Sequence, residues 1–445
     1  LNEENRLKEI VINFVDNAKY YEVIKICNQI LKINPDSSFS WYHRGFSNLK
    51  LKRYEDAISD FNNSLKNDPS NPEVFNLKGL AKVCLGDWVG SINDFNKALN
   101  ISPKYAINYE FRGQSKYFLG KYEDAIQDLN LALTINKKNA YALQYLGRCK
   151  VQLGDIEGAI KDFTEAIKIT PQDCCSFHQR GIAKFRINNF KDGIDDFTKA
   201  LEIEPKYADA FCYRGICKSK LNNHQNAIED YLKALEIDPQ HVLAFYNMGV
   251  SKFSLKDYKS AIEDYTRVLE IEPKYLDALC NRGVCKGLLN DHENAIKDYS
   301  KVLELNPRHI LAWKNKGRER FALKDYKSAI KDFTKALEIE PKYLEALYFR
   351  GLAKYNLGDD EGAIIDFSKA LDIDPEREDA LYSRGLAKHN LKDYQGAIND
   401  YSRVIKINPT DSVNFYNRGV SKYHLKDYQG AIEDYSKALE INPEY

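Results

Sequence analysis

Large apolar residues return along this chain at one fixed interval. Trp41, Phe75 and Tyr109 stand 34 residues apart, and the row continues through Phe245, Leu279, Trp313, Leu347 and Leu381 to Phe415. Let this residue be position 4 of a 34-residue repeat. Repeats then start at residues 4, 38, 72 and so on to 412, giving 13 with no insertion between them. Positions 4, 7, 11 and 14 share one face of a first helix, and positions 17, 20, 21, 24, 27 and 28 share one face of a second. Position 21 is Ile in every repeat, from Ile24 to Ile432. Position 24 is Phe or Tyr in the last twelve repeats, except at Leu129. Asp at position 16 (Asp257, Asp325, Asp393, Asp427) stands where the second helix needs an N-cap. Proline at position 32, replaced only by Lys137, stops that helix and leads into the next. The predicted repeat is helix, short turn, helix.

Glycine occupies position 8 from Gly45 to Gly419, in the middle of the first helix. There it costs about 1 kcal/mol relative to alanine. Close approach of a second helix at that point is the expected reason. A single repeat cannot bury its apolar face alone, so the repeats must stack. Residues 1–37 form a degenerate first repeat, expected to cap the N-terminal end. Val11 replaces its glycine and Cys27 its aromatic residue. Residues 38–445 hold twelve tandem repeats. No solvating helix follows Pro443, although such arrays normally end on a polar cap, so the array is expected to continue beyond the C-terminus.

A large apolar residue at 4, glycine at 8, alanine at 20, an aromatic at 24, mostly alanine at 27 and proline at 32 make a specific set. Gly419, Ala431, Tyr435, Ala438 and Pro443 carry it in the last repeat. With its period of 34 the chain resembles the tetratricopeptide repeat family over essentially its whole length. The resemblance implies an all-α, right-handed superhelical solenoid of antiparallel helix pairs, with a concave groove lined by the first helices. It implies a protein-interaction scaffold rather than an enzyme. The repeat-bearing arm of a larger enzyme (a glycosyltransferase or kinase) and a structural assembly factor are the alternatives.

Two positions depart from that family's common pattern. Position 7 is basic in ten of the last twelve repeats, with Leu146 and Met248 as exceptions, and position 11 is Lys or Arg in eleven. Both lie mid-face, where an unpaired charge would be prohibitive. Position 23 is Asp in all twelve, from Asp60 to Asp434. An ion ladder with one rung per repeat is expected, joining Arg418, Asp434 and Lys422 in the last. Whether a rung lies within one repeat or between neighbours is open at this level.

Charge narrows the partners. Lys+Arg and Asp+Glu are both 65, so the net charge is zero, which argues against nucleic acid or an anionic membrane as the main partner. No apolar run is long enough to span a bilayer. Cys212 with Cys217 and Cys280 with Cys285 are copies 68 residues apart, part of a duplication in two-repeat blocks, and not a metal framework. An odd count of nine cysteines fits a reducing compartment, and the expected location is cytoplasmic. No cofactor is implied. His389 and His424 lack the further ligands that a metal site needs.

The opposite face of the first helix, positions 2, 5, 6, 9, 12 and 13, is expected to line the groove. Asn247, Asn281 and Asn315 occupy position 6 in three successive repeats, and Asn417 is an isolated fourth. Amides at a regular rise can pair with the N–H and C=O of an extended peptide. The row resembles the asparagine ladder of O-GlcNAc transferases in part. Tyr246, Lys314, Phe253 and Phe321 share that face and can add apolar and ionic contacts. Other proteins, as extended peptide segments, are therefore the expected partners. The carboxylate clamp with which family members hold chaperone C-termini is disfavoured, because no repeat has asparagine at position 9 or lysine at position 2.

Overall fold

A computed structural model describes residues 2–444. Among them are 26 α-helices and no strand, two helices per repeat. The protein is an all-α solenoid of helix pairs. Residues 1–237 and residues 238–445 form two compact bodies. The first starts with α1 (Asn2–Asp16) and α2 (Tyr20–Ile33) and holds seven pairs, to α14 (His224–Ile237). The second holds α15 (Val242–Ser254), α16 (Tyr258–Ile271), α17 (Leu276–Leu288), α18 (His292–Leu305), α19 (Ile310–Ala322) and α20 (Tyr326–Ile339). It continues with α21 (Leu344–Asn356), α22 (Asp360–Ile373), α23 (Glu378–Asn390), α24 (Tyr394–Ile407), α25 (Ser412–His424) and α26 (Tyr428–Ile441). Within each body every helix packs against the next one along the chain.

The ends of the helices follow the local chemistry. Asp257, Asp325, Asp393 and Asp427 each accept a hydrogen bond from the backbone N–H three residues on, the N-cap read from the sequence. Position 31, the residue before the proline, is extended, with φ −134° at Asn442. Asn136 adopts the same conformation before Lys137, so the proline is not required for it. The turn between the helices of a pair holds a residue at positive φ in every repeat, at position 15. Gly86, Gly120, Gly154 and Gly358 supply it in four, and a lysine, asparagine or alanine in the other nine. A left-handed residue there ends the first helix.

The position-8 glycine has the expected role. A Cβ on Gly351 would lie 2.7 Å from the ring of Phe367, at position 24 of the same repeat, and that ring is fully buried. The same collision recurs from Gly45 to Gly419, with Leu129 in place of a ring at Gly113. The first repeat reverses the pair. Val11 fills the place of the glycine, Cys27 fills that of the ring, and both are fully buried. Bulk removed from one helix is thus restored on the other.

The ion ladder is present, and its ion pairs lie within one repeat. In the last, Arg418 Nη2 is 2.6 Å and Lys422 Nζ 2.9 Å from opposite oxygens of Asp434. Asp60 to Asp434 are all buried. Asn48 replaces the lysine in the second repeat and still donates to Asp60 Oδ2 at 2.9 Å. Where position 7 is arginine, a further hydrogen bond ties the rung to the preceding repeat. Arg282 Nη1 donates to Thr266 Oγ1, Arg350 to Thr334 and Arg384 to Ser368, at 3.0–3.1 Å. Position 4 packs on the same guanidinium, with Arg44 4.5 Å above the Trp41 ring and Arg418 5.6 Å above Phe415. Where position 7 is Met248, only Lys252 faces Asp264, and burial pushes that carboxyl up to about 6.

Three outcomes are expected from this packing. Gly351→Ala gains about 1 kcal/mol of helix propensity but forces a buried ring aside at a cost of about 1–3 kcal/mol. At Gly193 a new Cβ would find its nearest neighbour, Cys217 Sγ, at 3.5 Å. Equilibrium denaturation should therefore show Gly351→Ala destabilised and Gly193→Ala stabilised; the opposite order would contradict the close-approach account. Asp298→Ala strands Arg282 and Lys286 and should cost about 3 kcal/mol, read as lost hydrogen-exchange protection in α17 and α18. Unchanged protection there would remove the ladder as a structural element. Native Asp264 holds its proton to higher pH than the unfolded chain, whose value is near 3.8. Its contribution to stability is full below that value and is lost as pH rises through about 6. Met248→Arg adds a second cation and should flatten this decline, measured as the difference between variant and wild type at the two ends of the window.

Candidate functional site

The groove-face residues expected from the sequence fall on α15, α17 and α19, with Asn417 apart on α25. Tyr246 is half-buried, its ring 5.2 Å from that of Tyr275 and 5.9 Å from that of Tyr265. Burial, with the nearby Asp277 charge, raises its phenol above the ordinary range. Asn281 Nδ2 donates to Tyr246 Oη at 3.2 Å, so these two act as one group. Asn417 Nδ2 donates to Tyr382 Oη at 3.3 Å, the same pairing at the same positions in the last two helix pairs. Asn247 Nδ2 instead donates to Leu243 O, one turn back in its own helix.

The row of asparagines is therefore not a set of equivalent free amides. Asn417 keeps an oxygen and one amide hydrogen, since a carboxamide has two donors, and Asn281, whose amide also meets the Tyr265 hydroxyl, keeps its oxygen. Asn247 is held against its own backbone. The physical reason is local. A side chain at position 6 reaches either its own i−4 carbonyl or the position-5 hydroxyl of the preceding repeat, and only Tyr246 and Tyr382 supply that hydroxyl to an asparagine.

The aromatic members line up differently. Phe253 at position 12 packs on Tyr258 at position 17, ring centroids 5.5 Å apart, and Phe321 packs on Tyr326 at 5.2 Å. Tyr117 with Tyr122, Phe185 with Phe190 and Tyr423 with Tyr428 repeat this ring pair. Phe253 and Phe321 thus bridge the two helices of a pair while keeping part of each ring accessible. Lys314 on α19 is half-buried, and burial together with Arg318 one turn on lowers its ammonium below the ordinary value. Arg318 is exposed, 5.2 Å above the Phe349 ring.

Other repeats lack the ring pair, and the one formed by α17 and α18 also differs in what its neighbour places against it. Position 12 is Gly287 and position 17 is His292. Position 10 is Ser, Ala or Cys in eleven of the last twelve repeats and fully buried in all eleven; the twelfth is Glu319 on α19. The Glu319 carboxylate lies over Gly287, where a Cβ would meet its Oε1 at 2.6 Å. His292 Nδ1 donates to Glu319 Oε2 at 2.6 Å. A cavity of about 210 Å³ opens beside this pair, walled by Asn315 and floored by the Tyr299 ring. These residues were missed in the reading of single positions. The signal was there as the single glutamate in the otherwise uniform position-10 column, but only contact between neighbouring repeats relates position 10 to position 12.

His389 and His424 do come together, ring centroids 5.4 Å apart, with Tyr394 stacked on His424 at 4.8 Å. His389 Nδ1 is 2.9 Å from Ser421 Oγ. No group of three or more metal-ligating side chains occurs among the described residues. The nine cysteines are free thiols, and burial pushes those of Cys217 and Cys285 up to about 12. No helix among the described residues is long and apolar enough to cross a membrane.

Tetratricopeptide repeat models match residues 208–241, 242–275, 276–309, 310–343, 378–411 and 415–445. Related models of the same repeat match 38–71 and 140–173, 107–139, and 351–392. No curated protein matches the sequence. Among solved structures, the MamA protein is 24% identical, with 38% of this chain and 92% of that one covered and a TM-score of 0.35. YrrB, described as a TPR protein with an unusual peptide-binding site, is 22% identical, with 41% and 95% covered and a TM-score of 0.36. The Cut9–Hcn1 hetero-tetramer of the APC/C is 16% identical, with 100% and 95% covered and a TM-score of 0.41.

Proposed function

Because the chain belongs to the tetratricopeptide repeat family, we propose that it is a non-catalytic scaffold that holds extended peptide segments of other proteins on the face formed by α15, α17, α19 and α21. The observation that carries this reading is the mixture on that face. Tyr246, Phe253 and Phe321 offer part-exposed rings fixed by neighbouring rings. Asn281 keeps its amide oxygen as an acceptor beside them, and Asn417 keeps both a donor and an acceptor. Rigid aromatic surface with adjacent amide groups suits a peptide, whose backbone alternates donors with acceptors and whose side chains need apolar rests. Lys314 and Arg318, one helical turn apart, favour an acidic residue in the bound segment. Asn417 with Tyr382 offers the same amide–phenol pairing further along and extends the contact surface.

Selection from a library of displayed peptides on the full chain tests this. Enrichment of segments with an acidic residue next to an apolar one is expected. The triple variant Asn247→Ala, Asn281→Ala, Asn315→Ala should bind the selected peptides at least tenfold more weakly, about 1.4 kcal/mol. The Asn281 and Asn315 changes should account for most of the loss, because Asn247 is engaged by its own helix. Equal binding by the variant would remove the asparagine positions from the site.

A further inference from the structure

The cavity between α17, α18 and α19 has features that packing does not require. Tyr299 is 1% exposed, and its hydroxyl has no hydrogen-bond partner in the protein. A buried hydroxyl left in that state costs about 1–3 kcal/mol. The next two repeats fill the same position with Phe333 and Phe367 and do without a hydroxyl. Beside it stands the Glu319 carboxylate, placed over Gly287 and held by His292. The three changes are complementary. Gly287 and His292 stand where five repeats pair two rings, and Glu319 brings a carboxylate where eleven repeats bury a serine, alanine or cysteine. The remaining wall is apolar, from Val284, Leu288 and Ala322, with Asn315 and Arg318 on the α19 side.

We propose that this cavity is a recognition pocket for a primary carboxamide, delivered as a glutamine side chain of a segment bound on the groove face. The proposal rests on the peptide-binding reading for how the group arrives. The chemistry of the walls selects it. Glu319 offers acceptors and calls for N–H donors. The Tyr299 hydroxyl donates, because burial and the neighbouring Glu319 charge keep its proton on. A carboxamide donates through its nitrogen to Glu319 and accepts from Tyr299 and Asn315 through its oxygen. A carboxylate in the same place would face Glu319, an ammonium would face Arg318, and an apolar side chain would offer nothing to the Tyr299 hydroxyl or to Glu319 Oε1. The volume of about 210 Å³ accommodates a glutamine side chain.

The test uses the isotope-labelled full chain and N-acetylglutamine methylamide as probe, read at the amide resonances of Gly287 and Asn315. Saturable shifts with a dissociation constant of roughly 1–10 mM are expected for so small a ligand. The corresponding blocked glutamate, lysine and methionine should bind about tenfold more weakly or worse, the loss that an unmade hydrogen bond to a charged group brings. The variant Gly287→Phe, His292→Tyr, Glu319→Ala restores the pattern seen at Phe321, Tyr326 and Ala353. It should unfold no more readily than wild type and give no shift. Glu319→Gln keeps the shape of the side chain and should weaken binding about tenfold, so the test stands even if the triple variant folds poorly. Stronger binding of any other blocked residue, the same shifts in both variants, or no shift at saturating probe would overturn the pocket assignment. Peptide selection separates the two readings. Glutamine enrichment on wild type but not on the triple variant supports both, whereas a pocket that binds the blocked glutamine while no peptide is selected overturns glutamine delivery on a bound segment.

Discussion

A carboxylate at the centre of a packing face has to be neutralised where it lies, and much of this protein is arranged to meet that requirement. Asp298 sits at 5% exposure between the two helices of its pair. Two cations from the first helix take its two oxygens. The guanidinium then needs support of its own. It finds this in the aromatic residue at position 4 in many repeats and in the hydroxyl or amide at position 25 of the preceding one. One buried charge thus fixes the chemistry of four other positions, and through position 25 it ties one helix pair to its predecessor. Such a network gains little over apolar packing in net energy. It does restrict how two neighbouring pairs can register.

Close approach of the helices is the companion constraint. Glycine at position 8 admits the ring at position 24, and the ring lies one residue beyond the buried aspartate. The first repeat shows that the requirement is for total volume, not for glycine as such, since Val11 opposite Cys27 fills the same space. Leu129 opposite Gly113 is an intermediate case.

Where these two constraints are satisfied the repeats are alike, and likeness carries no specificity. The repeats differ on the face they leave free. There Tyr246 with Asn281, and Tyr382 with Asn417, are local hydrogen-bonded groups set on a rigid support. The exchange at Gly287, His292 and Glu319 goes further. It relaxes a ring pair that five other repeats keep as Phe or Tyr on both sides, and a carboxylate, an imidazole and an unpaired phenol line the space that results.

The sequence by itself determined the helix pairs, the start and the stop of the second helix in each, the reason for the glycine and the existence of the charged rungs. All of these follow from spacing within a single repeat, where 3.6 residues per turn relates one position to the next. The tertiary structure decided what depends on contact between repeats. It put the ion pairs inside a repeat and the Arg282–Thr266 hydrogen bond between repeats, and it turned Asn247 onto its own helix while giving Asn281 to Tyr246. It also brought Glu319 over Gly287, 32 residues earlier in the chain. A period read along the sequence says which residues are equivalent. Which of them touch depends on the distance and rotation between neighbouring pairs, and those are set by packing.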